Sequence, residues 1–110
     1  MEELIKSILS GMLDFIEDDD DADYSEKDIA ECKLYLDEFL NQMSLSNLDA
    51  DVALSEVKKL VISLNELNER CDECLIETDQ REEICELIFM ALTNASIPFE
   101  GDPTEEWREW

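Results

Sequence analysis

The chain has 110 residues, enough for one domain around one hydrophobic core, and 45% of them are hydrophobic, which excludes a disordered acidic tail. Thirty-one Asp and Glu against eight Lys and Arg give a formal charge of −23, beyond the ~2–8 charges that keep a small domain soluble. Such a surface repels nucleic acid and anionic lipid, so neither is expected as a direct partner; a basic protein or a cation would be attracted. With only two Gly and two Pro, long helices are favoured over turn-rich β structure.

A first helix is predicted over residues 2–16, where Leu4, Ile5, Ile8, Leu9, Met12, Phe15 and Ile16 share one face. Gly11 inside it costs about 1 kcal/mol relative to Ala, and a close helix contact is the expected reason for keeping it. The block 17–24 follows, with Asp18, Asp19, Asp20, Asp21 and Asp23. Like charges just past a helix C-terminus oppose the dipole, so the helix should end near Ile16 and the block should be a solvated loop.

Ser25 and Asp28 have the spacing of a capping box and open a second helix that runs to Met43 on the stripe Ile29, Cys32, Leu36, Phe39, Leu40 and Met43. The third helix, over 51–74, has an apolar stripe (Ala53, Val57, Leu60, Val61, Leu64, Leu67, Cys71, Cys74) in antiphase with a polar one (Glu56, Lys59, Ser63, Glu66, Arg70, Glu73). Asp79 or Thr78 should cap a fourth helix over 80–95. Its segment 87–92 is apolar all round, which predicts a central helix partly covered by another segment. The tail, 96–110, is the candidate cover, with a Gly101-Asp102-Pro103 turn and Trp107 and Trp110 on one face. The expected architecture is a single all-α domain over 1–110: an antiparallel bundle of about four helices with the C-terminal tail packed on it.

There is no histidine, which removes the commonest general base and the commonest metal ligand together. No Gly-rich phosphate loop is present. No catalytic residue, cofactor or resident metal is therefore expected. Asp19, Asp21 and Asp23 have the first spacings of an EF-hand loop, but Tyr24 and Ala30 stand where its Gly and Glu belong. Cys71-x-x-Cys74, with Cys85 and Cys32, leaves a metal or redox alternative open. The pair lies near a helix C-terminus beside Asp72, Glu73 and Glu77, which would raise thiol pKa rather than lower it, so buried thiols are the favoured reading.

Residues 1–13 carry Glu2 and Glu3 with one Lys6 and no continuous apolar run, so neither an export signal nor a membrane span is read, and a cytoplasmic protein with reduced cysteines is expected. Monomer and homodimer remain alternatives, since the girth of the fourth helix could be covered by the tail or by a second subunit.

The stretch Leu64-Asn65-Glu66-Leu67-Asn68-Glu69, the stretch Glu77-Thr78-Asp79-Gln80-Arg81-Glu82-Glu83 and the ending Asp102-Pro103-Thr104-Glu105-Glu106-Trp107-Arg108-Glu109-Trp110 resemble small acidic bacterial helical proteins, several of them immunity proteins that neutralise toxins. The resemblance implies an inhibitor, and the missing histidine and phosphate loop argue against an enzyme. With the charge, it suggests an acidic immunity protein that occupies the positive channel of a basic toxin or nuclease and is steered there electrostatically. The expected contacts are Asp18, Asp19, Asp20, Asp21 and Asp23, a second patch of Glu66, Glu69, Asp72, Glu73 and Glu77, and the aromatic end Trp107 and Trp110. The alternatives are a nucleic-acid mimic (anti-restriction or anti-CRISPR), an acidic secretion chaperone, and an acidic surface that only maintains solubility.

Overall fold

A computed structural model describes residues 2–18, 24–44, 49–99 and 101–110, except the side chain of Asp18. Four helices carry the chain: α1 (Glu2–Asp18), α2 (Glu26–Met43), α3 (Ala50–Arg70) and α4 (Thr78–Asn94). They form an all-α bundle of 46 × 25 × 20 Å, with no strand among the described residues. Among the described residues, no helix is long and apolar enough to cross a membrane.

The helices form by the predicted stripes. Ile5, Ile8 and Met12 of α1, Ile29, Cys32, Leu36, Phe39 and Met43 of α2, and Ala53, Val57, Leu60, Val61, Leu64 and Leu67 of α3 are all buried in one core. Each large aliphatic side chain taken fully from water contributes about 1.5–3 kcal/mol against the entropy of ordering the chain. α1 packs on α4 and on α2, and α2 packs on α3. α2 also touches α4, so α2, not α4, is the most centrally placed helix. The apolar girth of α4 is explained instead by the tail: Phe99 stacks on Phe89 with ring centroids 5.6 Å apart, while Met90 stays exposed.

Three helix ends differ from expectation: the end of α1, the end of α3 and the start of α4. α1 continues to Asp18, two residues past Ile16. α2 starts as predicted, with Ser25 N donating to Asp28 Oδ2 at 3.0 Å in a capping box. α3 is capped by Asp49, whose Oδ1 accepts from Val52 N at 2.8 Å. It ends at Arg70 rather than Cys74, because Asp72 and Glu73 turn left-handed (φ 54° and 61°). Asp72 N then donates to Glu69 O and Glu73 N to Asn68 O, the paired bonds of a Schellman motif. α4 ends the same way, with Ser96 at φ 60° and Ile97 N donating to Leu92 O at 2.9 Å. α4 begins earlier than predicted. Its cap is Glu77, whose N–H donates to Gln80 Oε1 at 3.2 Å, in place of Asp79 or Thr78.

Gly11 is a close contact, as expected. A Cβ there would collide with Nε2 of Gln80, a buried side chain at the start of α4. Tyr24 ties the start of α2 to α1: its hydroxyl donates to Met12 O at 3.0 Å and its ring stacks on Phe15.

Candidate interaction surface at the α3–α4 turn

The turn between α3 and α4 is held from below by one buried side chain. Asn68 Oδ1 accepts from Ile76 N at 2.9 Å, and Leu75 and Ile76 are driven into the core beside it. With the chain anchored at both ends of the turn, Asp72, Glu73 and Glu77 are left facing solvent, next to exposed Glu66 and Glu69 on the last turns of α3. Arg70, next to Glu69 in the sequence, forms its ion pair elsewhere. It reaches back to α2 and pairs with Glu31, which also accepts from the Tyr35 hydroxyl at 2.7 Å. The Tyr35 hydrogen bond and then Arg70 hold the Glu31 carboxyl below its ordinary range. Four of the eight basic side chains form ion pairs among the described residues: Lys33–Asp37, Lys59–Glu38, Arg70–Glu31 and Arg108–Asp102.

The tail supplies a further wall. α3 and α4 have little direct packing along their lengths, and the tail joins them. On the α3 side, Asn65 Nδ2 donates to Trp107 O at 2.7 Å, and its Oδ1 accepts from Glu109 N at 3.1 Å. On the α4 side, Arg108 Nη1 lies 2.9 Å from Cys85 Sγ and 3.1 Å from Asp102 Oδ2. Asp102 Oδ1 in turn accepts from both the N–H and the hydroxyl of the fully buried Thr104. Burial alone would raise the Asp102 carboxyl, but its Thr104 hydrogen bonds and the Arg108 charge outweigh this and hold it below the ordinary range. Trp107 and Trp110 are both half-buried, with Lys58 over the first ring and Arg108 over the second.

The second predicted acidic patch is therefore accessible, and the structure divides it. Glu69 and Glu73 come together with Glu109 of the tail around a cavity of about 120 Å³, which Asn65, Asn68 and Trp110 complete. Glu66 lies on the side of α3 that faces Tyr35, and Glu77 lies near Tyr24, as their effects on those hydroxyls show. Of the first patch, Asp19, Asp20, Asp21 and Asp23, and the side chain of Asp18, lie outside the described residues. Trp107 and Trp110 pack against the core, which includes residues of α4, and also meet α3 through Lys58 and Asn65.

Sequence reasoning missed Asn65, Asn68 and Glu109. The available signal was in α3: two Asn three residues apart, beside Leu64 and Leu67, are polar groups at core positions and need partners.

The cysteines divide as well. Cys85 engages the tail, while Cys71 lies near Cys32. Burial pushes the Cys32 thiol up to about 12, and burial with the Asp28 carboxylate pushes Cys71 up to about 11, so both are protonated at neutral pH. No group of three or more Cys, Asp or Glu among the described residues is placed to hold a metal ion.

Compared with protein-family models, curated proteins and solved structures, the chain matches none of them.

Proposed function

We propose that the protein is a stoichiometric inhibitor that binds a basic protein, with an immunity protein against a basic toxin or nuclease as the form that suits it best. The observation that carries this reading is the α3–α4 end. Glu66, Glu69, Asp72, Glu73 and Glu77 are all exposed, the neighbouring Arg70 is turned away onto Glu31, and the backbone beneath is fixed by Asn68. A negative surface on a rigid support raises the association rate of a positively charged partner and selects against partners of like charge. Both Asp72 and Glu73 occupy left-handed backbone that favours glycine, and glycine there would forfeit two carboxylates at the surface. Stability is given up at this turn, as is common where a surface serves binding.

Capture from host extract on the immobilised protein at low and at high salt tests the proposal, with the triple variant E69K/D72K/E73K in parallel. The reading requires a basic protein that is retained at low salt, weakens as salt rises and is lost by the triple variant. Retention equal for both proteins would contradict it.

A further inference from the structure

The cavity beside this surface is unlike the rest of the acidic exterior. Its carboxylates come from three places: Glu69 from the last turn of α3, Glu73 from the left-handed turn, and Glu109 from the tail pinned by Asn65. No basic side chain lines it. Arg70, adjacent in sequence to Glu69, is committed to Glu31, and Arg108, adjacent to Glu109, is committed to Asp102 and Cys85 while its guanidinium covers one side of the Trp110 ring. The cavity wall also holds a buried polar atom without a partner. Among the described residues nothing accepts from Trp110 Nε1, an indole donor taken from water.

Resting on the inhibitor reading above, we propose that this cavity is the seat for one arginine residue of the protein partner. The guanidinium carries five donors in a planar fork, so it can serve carboxylates on several sides at once and lie against an indole, whereas an ammonium acts as a point charge. The wall supplies both: three carboxylates and Trp110. A peptide also brings what a free metal ion lacks, a main-chain carbonyl that can accept from Trp110 Nε1. The volume of about 120 Å³ suits one side chain rather than a folded segment.

Proton–nitrogen correlation spectra of the whole protein, titrated with Ac-Gly-Arg-Gly-NH2 and with the same peptide carrying neutral citrulline, test this. The arginine peptide should shift the Trp110 indole and Asn68 side-chain amide signals saturably, and the citrulline peptide should not. The variant E73Q/E109Q changes two exposed side chains and should keep its helical signal while binding the arginine peptide about tenfold more weakly, the loss expected for charge-assisted hydrogen bonds. The seat is overturned if these signals do not respond saturably, if citrulline acts equally, or if E73Q/E109Q binds as the parent does. A salt-sensitive partner captured equally well by E73Q/E109Q and by the parent would leave the inhibitor reading standing and remove the seat.

Discussion

The side chain of Asn65 donates to the carbonyl oxygen of Trp107 at 2.7 Å, joining α3 to the chain 42 positions later. The same carboxamide accepts from Glu109 N, so both arms of one buried side chain hold the tail in the gap between α3 and α4. The tail is thereby part of the fold, and Glu109 is presented beside Glu69 and Glu73 instead of on a free end.

Asn65→Ala should therefore act at a distance. It removes two part-buried hydrogen bonds, each worth about 0.5–1.5 kcal/mol net, and should cost about 1–3 kcal/mol in urea unfolding. Hydrogen exchange should show lost protection concentrated at the amides of Glu109 and its neighbours. Uniform loss over all four helices would show that the tail is not separately held.

Gly11 and Gln80 should behave as a coupled pair. Gly11→Ala gains about 1 kcal/mol of helix propensity but forces the buried Gln80 amide aside, and overpacking costs about 1–3 kcal/mol. The single variant should be neutral to destabilised. In a Gln80→Ala background, the same change should stabilise. A double-mutant cycle with no coupling would contradict the close approach.

The stripes of α1, α2 and α3 and the capping box of Ser25 and Asp28 were legible because they repeat over several turns or rest on side chains with one dominant local use. The end of α3 was not. It closes in a Schellman motif with Asp72 at the position that normally signals itself with Gly, so the sequence lacked the usual mark, whereas the end of α4, expected at 95, falls at Asn94. The exposed acids of the second patch could be named from their antiphase to the core residues. Their meeting with Glu109 could not, because it depends on Asn65 bridging a long sequence separation, and Asn65 and Asn68 at core positions call for partners without saying which.

Asp72→Gly relieves left-handed backbone without touching the core. Stabilisation should be on the order of 0.5–1 kcal/mol by denaturant midpoint. If the inhibitor reading holds, the same variant should associate with its partner more slowly. A variant that gains stability and loses no association rate would separate the strain at the turn from binding.

Alkaline pH should unfold the protein through three buried acids. Cys32 and Cys71 are pushed up to about 12 and about 11 from an ordinary value near 9, and Tyr24 up to about 12 from 10, in each case chiefly by burial. A folded pKa above the unfolded one means that stability is full below the unfolded value and falls as pH rises through the folded one. Unfolding free energy should thus be insensitive to these groups up to about pH 9 and decline from there towards pH 12. A Cys32→Ala/Cys71→Ala variant should lose the earlier part of that decline. Stability unchanged to pH 12 would contradict the burial of all three.

The most direct test of the central claim is the association rate of the captured basic partner across a salt series, measured for the parent and for E69K/D72K/E73K. Steering by the α3–α4 end predicts a steep fall of the parent rate with added salt, as exposed charges become screened within about 10 Å at 0.1 M. The triple variant should start at least about tenfold slower and show a flatter salt dependence. Equal rates and equal slopes for the two proteins would place binding elsewhere on the molecule and contradict the account.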